Sequence, residues 1–431
     1  TLDIGTAYGA DISGSANAAG QLYARRKSSK DAHYSLALIP FSSGVTIQNV
    51  TIAGTINCKV PKTVDQETKE ESPAFVSAVV GLASGTTSFN NVTVNAAASV
   101  SEEPEGAKKL QVWQGGFLGQ CEGNTLEFRN CIWGKGASLT DERGTDHQRI
   151  GGLAADVMGG CTVSVKDCTL SGIAASNAGA NARVGGLIAV SRGDKNGTAL
   201  SSTINISDLT VDGERINAAK ANKTSGGLLG YQWKNTNVVF AEGTNSNGVN
   251  ISGSTLNAAS QFGGLVYQAT GYWKATAANS IVFKSNNTFT GESRQNSPSG
   301  LLVGTGLVTK EYTENNETKT GVESALYLEV GTWGSTSGVA YKIGSGAVTL
   351  NIAGAEYFDE LVGITKYNDA GNNNAVVSLA VRDANGAAVQ IDRNNNRTTY
   401  TGQLGTNYKN SKTRYYYNLD SYRKNNPELN L

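Results

Sequence analysis

A block of two glycines followed by apolar residues recurs along this 431-residue chain and constrains its fold more than any other feature. Successive copies begin 34 to 41 residues apart. Self-similarity at a period of that size is typical of a solenoid, in which each repeat packs on its neighbours along one axis. The clear copies begin at Gly115, Gly151, Gly185, Gly226, Gly263 and Ser299, with a weaker copy at Ser77.

After each glycine block comes a second pattern, two short runs of alternating apolar and polar residues joined at an Asn or Asp. Residues 45–54 and 127–134 are examples. Alternation with period two predicts strands that put every second side chain inside. Since Asn and Asp accept left-handed backbone angles, we expect a corner at each joint, with corner side chains bonded from coil to coil as a ladder. The predicted corners are Asn49, Asn91, Asn130, Asp167 and Asp208.

One strand at the glycine block and two strands flanking the corner make one turn of a three-sided coil. The chain is therefore predicted to be all-β, a right-handed, single-stranded parallel β-helix of about nine coils over residues 35–394. Residues 1–34 and 395–431 lack the pattern. We predict that they are terminal caps or connections, because a solenoid must cover its open apolar ends. Degraded coils are expected to begin near residues 337 and 361.

The five cysteines are an odd number, so they cannot all pair within the chain. Cys131 and Cys168 occupy the repeat position that holds Val92 and Leu209 in other coils. We therefore expect these four side chains to form one interior column, with both cysteines as buried free thiols. The other cysteines are Cys58, which stands alone, and Cys121 and Cys161, which fall in predicted turns where a disulfide stays open.

Composition excludes several classes of partner. Lys and Arg (36) balance Asp and Glu (36), so the chain lacks the basic excess typical of nucleic-acid binding. No apolar run reaches the ~18 residues that a membrane span needs, and no membrane insertion is expected. Abundant Gly, Asn, Thr and Ser suit turn-rich β structure on an exported protein. We therefore interpret the chain as a mature piece of a longer exported precursor.

Glycine blocks such as 115–119 and 226–230, together with the Asn corners, resemble the GLUG repeats of bacterial surface proteins. More broadly, residues 35–390 resemble the filamentous-haemagglutinin-like and pectin-lyase-like right-handed β-helices. The resemblance implies an extracellular, cell-surface or cell-wall location. It also implies a non-catalytic scaffold or adhesin module of a larger protein, binding glycans or proteins of host or neighbouring cells.

The sequence offers little for catalysis. His33 and His147 are the only histidines and lie far apart, and no spacing typical of metal ligands occurs. We predict no catalytic residue, no metal site and no cofactor. The enzymatic alternative is a polysaccharide lyase or glycoside hydrolase of the pectin-lyase-like class, using a cation or substrate site in the polar loops within 102–149. A structural filament or surface-layer component is a third alternative. The polar loop residues are Glu102, Glu103, Glu105 and 140–149.

Aromatic residues follow two neighbouring glycine blocks and suggest a binding surface. Because equivalent positions of adjacent coils lie side by side, we expect these rings to cluster at one corner. Aromatic platforms of this kind bind sugars and proteins, and simple packing under a loop is the alternative. The candidate binding residues are Tyr231, Trp233, Tyr267, Tyr272 and Trp273.

A second surface follows from the paired aliphatic residues of each block. In a straight strand, two consecutive side chains point to opposite faces, so one of each pair is expected outside. Such an exposed apolar stripe would be a seam for lateral self-association, unless the preceding loop covers it. The predicted stripe contains Leu118, Ala154, Ile188, Leu229, Val266 and Leu302.

Overall fold

A computed structural model of the chain describes residues 34–305 and 347–353, with gaps at 60–73, 102–110, 142–147, 176–181, 196, 219–224, 241–246, 276–279 and 295–298. Outside these ranges it describes the backbone of strands within 12–33, 307–343 and 377–389. The regular elements of the described part are all β-strands. Correspondingly, a helix long and apolar enough to cross a membrane is not found there.

The strands stack into three long sheets, and each coil runs from sheet A through sheet B to sheet C. Sheet A contains Ile12–Ala16, Leu22–Lys27, Ala32–Leu36, Ala74–Ser77, Val112–Gly115, Arg149–Gly151, Arg183–Gly185, Ser225–Gly226 and Phe262–Gly263. Sheet B contains Ile39–Ser42, Val80–Ala83, Leu118–Cys121, Ala154–Val157, Ile188–Ser191, Leu229–Gln232, Val266–Ala269 and Val303–Thr305.

Sheet C takes three strand segments from each coil. In two coils the segments are continuous, as Val45–Lys59 and Thr87–Ser101. The next coils contribute Thr125–Arg129, Ile132–Trp133 and Ser138–Asp141; Thr162–Lys166, Thr169–Leu170 and Ile173–Ala175; and Ser202–Ser207, Leu209–Asp212 and Arg215–Ala218. They are followed by Thr236–Phe240, Val249–Ser252 and Thr255–Ala258, and by Tyr272–Lys274, Ile281–Ser285 and Asn287–Glu292. The last segments are Glu317–Thr332, Tyr341–Ile343, Val348–Ala353, Val377–Arg382 and Ala388–Val389.

Coil-to-coil pairing is parallel along the stack, for example Arg149 with Arg183 and Ile188 with Leu229, and its register shifts by one residue after Ile251. This arrangement is a parallel β-solenoid, and the predicted fold class is confirmed. Between Ala32 and Glu292, seven successive coils contribute a strand to every sheet. The predicted count of about nine is therefore too high for complete coils of the described part.

Both ends of the stack carry antiparallel strands. Ile12–Ala16 and Leu22–Lys27 extend sheet A before its first parallel strand. Leu307–Glu314 pairs antiparallel with Glu317–Thr332 as a hairpin inserted after the last strand of sheet B. Away from the ends, the short strands Asp194–Lys195 and Thr198–Ala199 form another hairpin. The predicted caps at 1–34 and 395–431 stay predictions, and the second lies outside the described residues.

The predicted corners are confirmed, because all five residues have φ between +51° and +57°. The ladder is only partly formed. Asn91 Nδ2 donates to Asn49 Oδ1 at 2.9 Å, whereas Asp208 Oδ1 accepts from the backbone N–H of Asn247 at 3.0 Å. Asp167 and Asp208 are neighbouring corners, and two carboxylates cannot donate a hydrogen bond to one another. An unbroken ladder was therefore a wrong expectation.

The predicted interior column is also confirmed. Val92, Cys131, Cys168 and Leu209 hold equivalent positions in successive coils and are all buried. All five cysteines belong to the described part of the chain, where they are buried and form no disulfide. The Sγ atoms of Cys121 and Cys161 lie 3.6 Å apart, at hydrogen-bond distance and without a covalent bond. Aromatic residues stack in the same interior, as in the parallel pair Phe89 and Phe128 at 5.1 Å.

The glycine block is not one strand, as the sequence suggested, but the corner between sheets A and B. Its first glycine ends a sheet A strand, and its second aliphatic begins a sheet B strand. Since the chain turns between them, both aliphatics enter the core, as Leu228 and Leu229 do. The exposed apolar stripe was therefore a wrong prediction. All six residues are completely buried: Leu118, Ala154, Ile188, Leu229, Val266 and Leu302.

Two predicted registers also need correction. Gly263 bridges to Gly300, so the last block begins one residue later than Ser299. Val348–Ala353 pairs with Asn287–Glu292 as a third sheet C segment, so it completes a coil and does not follow a new glycine block near 337. The block predicted near 361 lies outside the described residues.

Close backbone packing explains why the corner needs glycine. A Cβ on Gly226 would lie 1.9 Å from the Leu229 carbonyl oxygen and 2.8 Å from the Tyr267 backbone nitrogen. Both obstacles are main-chain atoms of the corner and of the next coil, so no side-chain rotation can relieve the clash.

We predict that Gly226→Ala lowers the free energy of unfolding by about 3 kcal/mol, because the sheets must separate to admit the methyl group. Urea denaturation followed by far-UV circular dichroism measures the change. Gly136→Ala is the control, since its Cβ would meet its nearest neighbour, the Asn95 carbonyl oxygen, at 3.4 Å; a loss of less than about 0.5 kcal/mol is expected. Equal losses in the two variants would contradict the account.

Candidate functional site

A cluster of charged and aromatic side chains lies in the notch between the outer faces of sheets A and B. Ile150 and Val184 of sheet A enter the core, so their neighbours Arg149 and Arg183 point to the opposite face. This face meets Asp156 of sheet B, which is linked to Arg149 by an ion pair. We call the notch the outer groove. Its charged and aromatic residues are Trp113, Arg149, Asp156, Arg183, Arg192, Tyr231 and Trp233.

Asp156 is the centre of this cluster and is completely buried. Arg192 binds its carboxylate through two nitrogens, Nε at 3.1 Å and a terminal nitrogen at 3.0 Å. Arg149 donates to Oδ1, and Gln120 Nε2 donates to Oδ2 at 2.9 Å. Both carboxylate oxygens are thus saturated by charge-assisted hydrogen bonds. One carboxylate joins three consecutive coils, since Gln120, Arg149 and Arg192 come from successive turns.

The guanidinium groups also stack on aromatic rings. The Arg149 guanidinium carbon lies 3.8 Å from the centre of the Trp113 ring, and that of Arg192 lies 5.3 Å from it. Such cation–π contacts stabilise a charge that has left water. Burial nevertheless lowers the pKa of Arg149 to about 9, against the opposing effect of Asp156. Arg149 therefore keeps its charge at neutral pH.

Farther along the groove, Arg183 lies over the Tyr231 ring at 4.9 Å. Tyr231 makes an edge-to-face contact with Trp233, with ring centres 5.9 Å apart. Burial lowers the pKa of Arg183, and Tyr231 and Asp156 act against that shift. Trp233 is 36% exposed and forms the solvent side of this group.

The five aromatic residues predicted as a binding surface are therefore not one cluster. Tyr231 and Trp233 lie together at the groove, whereas Trp273 is 1% exposed and donates from Nε1 to Gln232 Oε1 inside the solenoid. Tyr267 is buried, and its hydroxyl donates to Gln261 Oε1 at 2.7 Å. Tyr272 is half-buried against the core. Trp273 turns inward because the alternation in its strand puts Tyr272 and Lys274 on the other face.

The polar loops proposed for the enzymatic alternative lie mostly outside the described residues. This holds for Glu102, Glu103 and Glu105 and for 142–147. Of the rest, Asp141, Gln148 and Arg149 are buried. Within the described part of the chain, no group of three or more His, Cys, Asp and Glu is close enough to hold a metal ion.

Sequence reasoning missed the groove itself. Trp113, Arg149 and Arg183 each stand two residues before the first glycine of a block, and Gln120 and Asp156 each stand five residues after it. Two columns of polar or aromatic residues at fixed offsets are the signal that could have revealed it.

A separate titratable group, Glu214, lies inside the solenoid. It is 2% exposed, and its Oε1 has no hydrogen-bond partner. The carboxylate lies against the Gly186 backbone, where a Cβ would be 2.3 Å from it. A small cavity beside it is lined by Ser254 and Phe289, among others. Burial alone raises the pKa of Glu214 well above its usual value.

The stacked coils define a parallel β-solenoid protein with a charged outer groove. Comparison of the chain with protein-family models, with curated proteins and with solved structures finds no match. The resemblance to GLUG and filamentous-haemagglutinin-like proteins therefore stays a prediction, and the fold is shown at the level of the solenoid.

We predict that Asp156→Asn lowers the free energy of unfolding by about 3 kcal/mol, because the buried Arg149 and the partly buried Arg192 lose their counter-ion. Urea denaturation measures the loss. Asp212→Asn is the control, since Asp212 pairs with Lys135 at 3.7 Å in an exposed site, where a change below about 1 kcal/mol is expected. An Asp156 variant as stable as the control variant would show that the ion cluster does not support the fold.

Glu214 predicts a pH-dependent stability. Its pKa is higher in the folded than in the unfolded chain, so its contribution is fully present below the unfolded pKa and is lost as pH rises toward the folded pKa. We expect Glu214→Gln to raise the free energy of unfolding by about 2 kcal/mol at pH 8 and to change it little at pH 4.

Urea midpoints of both proteins at the two pH values test this expectation. Glu127→Gln is the matched control, because Glu127 is exposed on sheet C and its replacement should alter neither midpoint. A difference between wild type and Glu214→Gln that is the same at pH 4 and pH 8 would count against a buried neutral carboxyl.

Proposed function

We propose that this chain is a non-catalytic scaffold and adhesion module of a larger bacterial surface protein, which binds a glycan or protein of a host or neighbouring cell. The observation that carries the proposal is the exposed Trp233, held edge-on by Tyr231 beside Arg183 at the outer groove. Aromatic and Arg side chains are the residues most enriched at binding hot spots.

The scaffold part of the proposal is supported by the interior. Apolar side chains from all three sheets form one continuous buried cluster from Tyr34 to Leu350. Such a stack presents its side faces to partners while each coil rests on its neighbours. We also propose an extracellular location, which is based on the resemblance to GLUG-repeat proteins and on the composition.

The groove favours binding over catalysis. Among the described residues of the groove, the one carboxylate is that of Asp156, which is completely buried and has both oxygens occupied by donors. A general acid or base must come within hydrogen-bond reach of its substrate. The described groove therefore supplies cations and rings for recognition, and Asp156 serves to hold two of the cations.

We expect the fluorescently labelled chain to bind intact cells or a glycan array, and Trp233→Ala to weaken that binding about tenfold by removing the ring face. Ile132→Ala is the control, because Ile132 is an equally exposed apolar residue on sheet C. Unchanged binding by Trp233→Ala, or an equal loss in both variants, would contradict the proposed surface.

Two further assays on the same samples distinguish the alternative functions. Release of sugar fragments from acidic polysaccharides, followed as new reducing or unsaturated ends, would indicate the lyase or hydrolase and overturn the proposal. Concentration-dependent growth of assemblies in analytical ultracentrifugation, without binding to cells or glycans, would indicate a filament component.

A further inference from the structure

Positive charge exceeds negative charge among the described residues of the outer groove. Arg149, Arg183 and Arg192 face one carboxylate, that of Asp156. Its two oxygens are already shared between Arg149, Arg192 and Gln120. The cluster can therefore accept a further anion without displacing an existing bond.

Arg183 is the guanidinium left for that anion. It is half-buried, and in the described part of the chain no carboxylate pairs with it. Its Nε is buried without an acceptor, while its guanidinium plane rests near Tyr231. A partly desolvated guanidinium gains more from a bidentate anion than a hydrated one does, because little water must be displaced.

The neighbouring rings add a second kind of contact. Tyr231 and Trp233 meet edge to face, so the two rings present differently oriented surfaces beside the cation. Trp233 lies at the open side and remains accessible. A ring face binds an apolar surface of a ligand, and a pyranose has such a surface on the side of its C–H groups.

We propose that Arg183, Tyr231 and Trp233 form a binding site for a sugar residue that carries a carboxylate. Arg183 holds the carboxylate, and the rings hold the C–H face of the sugar. This inference rests on the proposed adhesion function and names the ligand class for the same surface. A uronate within a polymer and a terminal sialic acid share this chemistry.

Titration calorimetry of the full chain with matched probes tests the site. Polygalacturonate is compared with its methyl ester, and sialyllactose with the methyl ester of its sialic acid, so that each pair differs in the charge of the carboxylate. We expect binding of at least one acidic probe, at least tenfold weaker binding of its neutral partner, and weaker binding at high salt. Which acidic probe binds distinguishes the polymer uronate from the terminal sialic acid.

Variants assign the binding to the groove. Arg183→Gln should weaken binding of the acidic probe about tenfold or more through loss of a charged hydrogen bond. Arg183→Lys should retain part of the affinity, because it keeps the charge and loses the fork. Arg215→Gln is the control, removing the same charge from an exposed site on sheet C. Circular dichroism and urea midpoints confirm that each variant is folded.

Three results would overturn the inference: binding of neither acidic probe, equal binding of the acidic and neutral members of a pair, or unchanged acidic binding by Arg183→Gln. Cell binding that depends on Trp233 but not on carboxylates would overturn this inference and leave the adhesion function standing. Absence of binding to any cell or glycan would overturn both.

Discussion

The close approach of backbone to backbone at the corner between sheets A and B is the constraint on which the rest of this structure depends. At Gly115, Gly151, Gly226 and Gly263, the space of an absent Cβ is filled by a carbonyl oxygen three residues later, at 1.7 to 1.9 Å. A second glycine in each block gives similar room to the next coil, as at Gly227 and the Gly264 carbonyl. Because main-chain atoms fill these spaces, glycine is required at these positions by the lack of room for a Cβ and not by its backbone flexibility.

The sharp corner has consequences on both of its sides. Inside, it lets two consecutive aliphatics such as Leu265 and Val266 reach one core. Outside, it brings the faces of sheets A and B near enough for Arg149 to reach Asp156, seven residues along the chain. The same turn that completes the apolar core thus creates a partly dehydrated groove, in which ion pairs and cation–π contacts gain strength from the low local dielectric.

The sequence predicted what local rules control. Asn49 and Asp208 were placed at left-handed corners because few residue types tolerate that backbone, and Cys131 was placed inside because its repeat position is otherwise apolar. The sequence did not show where the chain turns within the glycine block, since two aliphatics in a straight strand would point apart. Nor did it reveal the groove, because the pairing of Arg192 with Asp156 crosses 36 residues and depends on which coil lies above which. The hairpin at 307–332 interrupted the period and displaced the predicted register after Gly300.

The ion cluster around Asp156 also helps to fix the register in which the coils stack. Successive glycine blocks are nearly alike, so an apolar interior alone distinguishes poorly between a correct stack and one slipped by a repeat. Asp156 has no counterpart in the neighbouring coils, where Gln120 and Val190 hold the same position of sheet B. A slipped stack would separate this carboxylate from Arg192 and Gln120 of the adjacent coils, and only Arg149 of its own coil would remain bound to it. Loss of these buried charge-assisted bonds would cost several kcal/mol. Asp156, which differs from the residues at the same position of neighbouring coils, therefore distinguishes the correct stack from a slipped one, which the repeated residues cannot do. Arg149 and Arg192 are bound to this carboxylate, so Arg183 remains beside the aromatic rings at the groove.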